Sequence, residues 1–151
     1  MRIREAVAAD LDAVIALLHE DVIREVDETA VPAAAYRPAF DEITTDPHQQ
    51  LLVGELDGAV VATGQLTWAR RLTYVGGLMC IVESVRVRPD LRGRGLGEAF
   101  MKHVIDAARA RGAARVELTT NAERDRAQQF YRRLGFVPSH VGMKYYLGAP
   151  S

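Results

Sequence analysis

Arg92-Gly93-Arg94-Gly95-Leu96-Gly97 is the stretch that decides the fold, because it lies between a predicted strand and a predicted helix. Met79–Arg88 alternates apolar and polar residues and ends before Pro89, which predicts a strand. After the glycines, apolar residues recur at helical spacing as far as Gly112, at Leu96, Phe100, Val104, Ala107 and Ala108. The N–H groups at a helix start and the helix dipole both favour phosphate, and glycines allow close approach. The stretch therefore predicts an anion-binding loop.

Two other kinds of glycine-rich phosphate loop fit this stretch less well. A Rossmann site needs G-x-G-x-x-G directly after the first strand, with an acid about 20 residues further on. Here Gly97 comes one position early, Glu98 occupies the third glycine position, and Glu117 falls in mid-strand. A Walker P-loop needs Lys-Ser or Lys-Thr after the glycines, and neither follows. A dinucleotide-binding oxidoreductase and a plain surface loop with solubilising arginines stay open as alternatives at this point.

The remaining chain predicts a single α/β (α+β) domain with a mixed sheet. Helices are predicted at 11–26, near 38–46 and across Ala127–Leu134. Further strands are predicted at 2–5, Gln50–Leu56, Ala59–Trp68, Ala114–Thr120, Phe136–Val137 and Met143–Leu147. Asp57-Gly58 is a hairpin turn between two of these strands. Because hairpins alternate with crossover helices, the sheet should be mixed and mostly antiparallel.

Composition narrows the class of protein and of ligand. The chain has 151 residues, 48% of them hydrophobic, and one cysteine, Cys80, which excludes an internal disulfide framework. Met1–Glu5 shows no leader pattern and no apolar run has membrane-spanning length, so a cytosolic protein without a membrane partner is expected. A net charge of −1 disfavours nucleic acid as a partner. Four arginines at 86, 88, 92 and 94 with one acid between them instead suggest a small anionic ligand.

Two motifs resemble those of the GNAT family of N-acetyltransferases. Arg92-x-x-Gly95-x-Gly97, placed after Val85–Pro89, is similar to the acetyl-CoA pyrophosphate motif of that family. About 30 residues further on, Asn121-Ala122-x-Arg124 and Ala127-x-x-Phe130-Tyr131-x-x-Leu134-Gly135-Phe136 are similar to a family signature that ends in F-Y-x-x-L-G-F. The resemblance covers roughly residues 50–147, and the N-terminal third only in its strand–helix order.

The resemblance implies a three-layer fold with helices on both faces of about six to seven strands. It also implies that the sheet splays open between the fourth and fifth strands and that acetyl-CoA is wedged there as acetyl donor. Backbone groups of Val85 and Val87 would bind the pantetheine arm, and the amides of Arg92 to Gly97 the pyrophosphate. The full expected set of cofactor-binding residues is Val85, Arg86, Val87, Arg92, Gly93, Arg94, Gly95, Leu96, Gly97, Glu98, Asn121, Arg124 and Tyr131.

The same resemblance implies direct attack of a neutral amine on the thioester, without a covalent enzyme intermediate. Tyr131 matches the tyrosine that protonates the thiolate in similar enzymes, and a phenol with a pKa of about 10 keeps its proton at neutral pH. Glu83 is a candidate general base acting through water, and period-2 alternation predicts that it shares a face with Val85. A tyrosine that only packs beside Phe130 and a strand carboxylate paired with an arginine remain open.

Partners follow from the same comparison of motifs. The expected acceptor is an amine of a small molecule or a peptide, with Trp68 and Tyr74 as candidates to line its cleft. A homodimer is expected from the habit of the family. No metal is expected, because the four histidines are scattered without metal-ligand spacing. The rival function is a catalytically silent acyl-CoA-binding domain, used as a sensor or an assembly subunit.

Overall fold

A five-stranded sheet lies at the centre of the computed structural model, which describes residues 1–20 and 31–148. Its strands follow one another in chain order across the sheet. They are β1 (Arg2–Glu5), β2 (Gln49–Leu56), β3 (Ala59–Arg70), β4 (Leu78–Val87) and β5 (Arg115–Leu118). The first four pair antiparallel, whereas β5 runs parallel to β4. The mixed, mostly antiparallel sheet predicted from the sequence is confirmed.

Helices cover both faces of this sheet. They are α1 (Leu11–His19), α2 (Arg37–Thr45), the single turn α3 (Thr73–Gly76), α4 (Leu96–Ala110) and α5 (Asp125–Arg133). The predicted first helix is confirmed up to His19, and its remaining part, 21–26, lies outside the described residues. None of the helices in the described ranges is long and apolar enough to cross a membrane.

Two apolar clusters hold these layers together, one on each face of the sheet. On one face, Phe100, Met101 and Val104 of α4 are completely buried against Leu66 and other sheet residues, with α5 packed beside them. On the other face, α1 and α2 pack on the sheet through residues that include Val14, Ile15, Phe40 and Val53. Burial of each such large side chain contributes about 1.5–3 kcal/mol, which is enough to fix the position of α4.

The sheet splays open between β4 and β5. The two strands pair only from Met79 opposite Arg115 to Val82 opposite Leu118. Beyond Val82, β4 continues to Val87 with β3 as its partner on one edge. The other edge of residues 83–87 is therefore open among the described residues, and the expected gap between the fourth and fifth strands is confirmed.

A β-bulge in β4 lies at the start of this open edge. Glu83 pairs with Gln65 and Arg86 with Thr63, so that Ser84 and Val85 together oppose Gly64. Ser84 has a φ of 55°, in the left-handed region that a non-glycine residue rarely adopts. A bulge of this kind re-aims the side chains that follow it.

The bulge makes one prediction wrong. Val82 before the bulge and Val85 and Val87 after it all pack on the α4 side of the sheet. Because one extra residue reverses the alternation, Glu83 and Val85 face opposite sides, and Glu83 shares its face with Arg86 instead.

The C-terminal segment also differs from the prediction. The expected strands Phe136–Val137 and Met143–Leu147 are not strands, so the described sheet has five strands rather than six to seven. Phe136 packs at the end of α5, but the chain then runs outward with its large apolar side chains exposed. Period-2 alternation predicts the extended shape correctly, but it does not say which edge, if any, a strand pairs with.

Candidate active site

The glycine loop ends in a cradle of free backbone donors at the start of α4. Gly93 and Gly95 adopt φ values of 80° and 78°, which favour glycine. The N–H of Ala99 is the first in this helix to find a backbone acceptor, the carbonyl of Gly95 at 3.0 Å. The preceding N–H groups, 93–98, have no backbone acceptor among the described residues. A Cβ on Gly93 or Gly95 would meet no atom within 4 Å, so this face of the loop is open to a ligand.

Gly97 has a different role from the one that the sequence suggests. A Cβ at Gly97 would lie 3.3 Å from Cζ of Phe130 and 3.8 Å from Cγ2 of Val87. Its side-chain direction is therefore filled by α5 and β4 rather than directed at a ligand. Gly97 allows α5 to pack closely on the first turn of α4, which joins the two motifs of the sequence in space.

The arginines around the loop differ in their availability. Arg88 forms a bidentate ion pair with Asp90, with N–O distances of 2.7 and 3.0 Å. This pairing raises the pKa of Arg88 and lowers the pKa of Asp90. Arg92 is exposed and donates through Nε to the carbonyl of Val87 at 3.3 Å, and Arg94 is exposed in the loop itself. Positive charge therefore lies beside the amide cradle, as an anion requires.

The open edge of β4 supplies a second set of backbone groups. The carbonyl of Val85 accepts from Nη1 of Arg86 at 2.9 Å, and the carbonyl of Val87 accepts from Arg92. A carbonyl oxygen has two lone pairs, so either group can accept a further hydrogen bond. This edge resembles that of a sheet awaiting one more strand.

Tyr131 lies on α5 in an aromatic cluster beside this edge. Its ring makes edge-to-face contacts with Phe130 and Phe136, at centroid distances of 5.1 and 5.7 Å. Burial raises the pKa of the Tyr131 phenol, and the positive charges of Arg86 and Arg124 partly oppose this effect. The phenol is thus neutral and proton-bearing at physiological pH, as a proton donor must be. The influence of Arg86 also shows that the phenol lies near β4.

Glu83 is exposed at the point where β4 and β5 separate. It directly follows Val82, the last β4 residue paired with β5, and lies opposite Gln65 of β3. Its face of the sheet is the α1–α2 side, across the sheet from Val85. A carboxylate in this place can take a proton from a group that enters the gap from the α1–α2 side.

Asn121 begins the turn into α5. Its Oδ1 accepts from the N–H of Glu123 at 2.9 Å, and its carbonyl accepts from the N–H of Arg124 at 3.0 Å. The turn is therefore held by the amide oxygen of Asn121. Arg124 and Asp125 bring the chain into the helix that carries Tyr131.

Two residues expected to line the acceptor cleft lie at the other end of the sheet. Trp68 is buried, donates to Gln50 at 2.9 Å and carries Arg111 over its ring at 4.2 Å. The hydroxyl of Tyr74 accepts from Arg115, the first residue of β5, at 2.8 Å. Both lie where β4 and β5 are paired, away from the gap. Their sequence gave no signal of which strand end they occupy.

Cys80 is completely buried in β4, and burial raises its pKa to about 11. A thiol with such a pKa reacts slowly because only the thiolate is nucleophilic. We expect Cys80 to stay unmodified by a thiol reagent at pH 8 in the folded protein and to react fully in denaturant. Ellman titration with and without guanidinium measures this, and rapid labelling of the native protein would contradict it.

Known proteins were compared with the chain. The model of the acetyltransferase (GNAT) family matches residues 14–136. The chain belongs to the GNAT family. An aminoalkylphosphonate N-acetyltransferase of Salmonella typhimurium is 32% identical over 138 residues, which are 91% of this chain and 86% of that protein. Glucosamine 6-phosphate N-acetyltransferase 1 of Oryza sativa is 31% identical over 115 residues, 74% of this chain and 68% of that one.

A solved structure shows the same fold. It is a transcriptional regulator from Bacillus halodurans, 36% identical, with a TM-score of 0.89 over 97% of this chain and 99% of its own. With its GNAT relatives and this fold, the chain is an acyltransferase, and acetyl-CoA is the acetyl donor that the family uses. The bulge at Ser84 and the packing of Phe130 on Gly97 are site features that the sequence motifs did not reveal.

Proposed function

We propose that this GNAT protein transfers the acetyl group of acetyl-CoA directly to an amine in a ternary complex. The observation that carries the proposal is the gap between β4 and β5, which begins at Glu83 and lies next to the amide cradle of α4. The gap opens to both faces of the sheet. A donor can therefore enter from the α4–α5 side while an acceptor approaches from the α1–α2 side.

Three groups of the described chain fit acetyl-CoA. Backbone N–H groups 93–98, with Arg92 and Arg94 beside them, suit a pyrophosphate. The open edge of β4 at Val85 and Val87 suits the amides of the pantetheine arm, because an extended amide chain can pair with a strand edge. In this proposal the side-chain amide nitrogen of Asn121 is left for the same arm, since its oxygen holds the turn. Glu98 contributes its N–H, because its carboxylate lies on the outer face of α4 beside Lys102.

The proposed chemistry needs one proton to leave the amine and one to reach the thiolate. Glu83 takes the proton from the amine through a water, and the amine nitrogen then bonds to the thioester carbonyl carbon. The N–H of Val85 donates to the oxygen on which negative charge develops. When the carbon–sulfur bond breaks, Tyr131 gives its proton to the sulfur, and solvent restores that proton.

For the acceptor, we propose a small primary amine that also carries an anionic group. The relatives named above act on an aminoalkylphosphonate and on glucosamine 6-phosphate, both amines with a phosphorus oxyanion. The test is free-thiol release from acetyl-CoA with a panel: 2-aminoethylphosphonate, glucosamine 6-phosphate, matched amines without the anionic group, and a peptide. Preference for a neutral amine or the peptide would contradict this acceptor class while leaving the acetyl transfer intact.

Gly95→Ala is expected to weaken coenzyme A binding, with Gly112→Ala as its matched control. Both glycines have positive φ, 78° and 69°, and at both a Cβ would meet nothing within 4 Å. Each alanine should therefore lower the free energy of unfolding by about 1–2 kcal/mol. Only the alanine at 95 projects toward the proposed pyrophosphate, so Kd should rise there by about tenfold, which is about 1.4 kcal/mol.

Calorimetry with coenzyme A and thermal melting separate these two effects. The control should lose stability by a similar amount and bind coenzyme A normally. Equal binding by both variants and the native protein would place the pyrophosphate elsewhere. Tight binding of NAD without binding of coenzyme A would revive the dinucleotide alternative.

A catalytically silent acyl-CoA-binding domain is the second candidate. It is favoured by the likeness to the transcriptional regulator from Bacillus halodurans. It predicts coenzyme A binding without thiol release for any amine. Against it, both a buried, protonated phenol and an exposed carboxylate lie beside the gap. A cytoplasmic location, as expected from the sequence, also remains part of the proposal.

A further inference from the structure

The C-terminal segment 141–147 presents an unusual surface for a protein in water. Its apolar residues alternate with others, and four of them, Val141, Met143, Tyr145 and Leu147, are 85%, 91%, 90% and 96% exposed. Residues 137–145 form no backbone hydrogen bond with any other part of 1–20 or 31–148. Strict alternation over seven residues is the pattern of a strand with one buried face. The segment is thus shaped as a strand but has no sheet in its own described chain.

The outer edge of β5 lacks a neighbour in the described sheet. All four residues of β5 are only half-buried, whereas Met79, Cys80 and Val82 of β4 are nearly inaccessible. Val116 and Leu118 pack against the α4 cluster but remain partly exposed. An uncovered strand edge with half-covered apolar side chains is a site for the addition of another strand.

The start of the segment lies close to this edge but leads away from it. Phe136 packs against the same apolar cluster as Val116 and Leu118. Pro138 then fixes its own φ and restricts Val137 to extended conformations, so the chain leaves α5 on a stiff, extended path. A stiff connection of this kind disfavours the tight return that pairing with its own β5 would need.

We propose that residues 141–147 pair with the β5 edge of a second copy of this chain, and that the second copy returns its own segment. Such a reciprocal exchange closes with twofold symmetry, because each chain offers one segment and one edge. The alternating apolar residues then cover Val116 and Leu118 of the partner. Both features that the single chain leaves in water are accounted for by one contact. The product is a homodimer with a sheet that continues from one subunit to the other.

The first test is the mass of the full chain in solution by light scattering. We expect twice the 16.6 kDa of one chain for the native protein. Met143→Asp with Tyr145→Asp should give the monomer, as should a chain ending at Pro138, each with unchanged circular dichroism. Leu72→Asp is the matched control, because Leu72 is 98% exposed outside the segment and should leave the dimer intact. A monomeric native protein, or a dimer that survives both changes to the segment, would overturn the proposal.

The second test distinguishes exchange from return to the same chain. Thr119, exposed just after β5, is replaced by cysteine together with one cysteine at 141, 143, 145 or 147 in the same chain. After oxidation, exchange gives covalent dimers in at least one of these variants. Disulfides only within single chains would show that the segment folds back on its own β5. Absence of any cross-link in a dimeric protein would show that the segments meet elsewhere, and either result rejects the exchange.

Discussion

Tyr131→Phe should lower kcat for acetyl transfer by about 100-fold or more, the usual contribution of a positioned proton donor. The substitution removes only the phenolic oxygen, so the edge-to-face contacts of the ring with Phe130 and Phe136 remain. Affinity for coenzyme A and the melting temperature should therefore change little. Steady-state kinetics at saturating acetyl-CoA, with calorimetry on both proteins, measure this difference between turnover and binding.

The pH dependence gives a second readout for Tyr131. A proton donor works in its protonated form, and burial raises the pKa of this phenol above the ordinary value of about 10. The loss of kcat that follows ionisation of Tyr131 is thus displaced upward, and no alkaline decline from this group is expected below pH 10. Tyr74→Phe is the control, because its hydroxyl binds Arg115 where β4 and β5 are paired. Turnover that is equal in both variants would reduce Tyr131 to a packing residue.

The sequence was most informative where backbone conformation and local pattern determine structure. The strand before Pro89, the left-handed glycines at 93 and 95, and the helix to Ala110 are all local features, and all were predictable. The gap between β4 and β5 was expected only through the family resemblance. Its physical cause is that β5 ends at Leu118 while β4 continues to Val87.

Features that depend on distant pairs of residues were not predictable from pattern. The bulge arises because Gly64, whose Cβ would lie 2.7 Å from Phe100, lets β4 place two residues opposite one. Nothing near Ser84 in the sequence indicates this contact. The face of Glu83 was therefore assigned wrongly, since strict alternation allows no extra residue. The C-terminal strands failed for a related reason, because alternation predicts a strand without supplying its partner.

The position of Glu83 on the far side of the bulge sharpens its expected role. Val85 directs its side chain to the α4 side, whereas Glu83 faces the α1–α2 side, where the acceptor is proposed to enter. A base on the donor side would compete with the pantetheine arm, but one on the acceptor side meets the amine first. Glu83→Gln keeps the size and polarity of the side chain and removes its ability to take a proton. We expect kcat to fall by about 100-fold at neutral pH.

Deprotonation of the amine must then rely on solvent, so the rate of Glu83→Gln should rise more steeply with pH than that of the native enzyme. The matched control is Glu117→Gln, a strand carboxylate that pairs with Arg71 and Arg115 at 2.9 and 3.0 Å. Its surface ion pairs contribute about 0–1 kcal/mol, so this change should alter stability slightly and turnover not at all. If Glu83→Gln keeps both its rate and the native pH profile, the carboxylate is only a strand residue, and the amine must lose its proton to water alone.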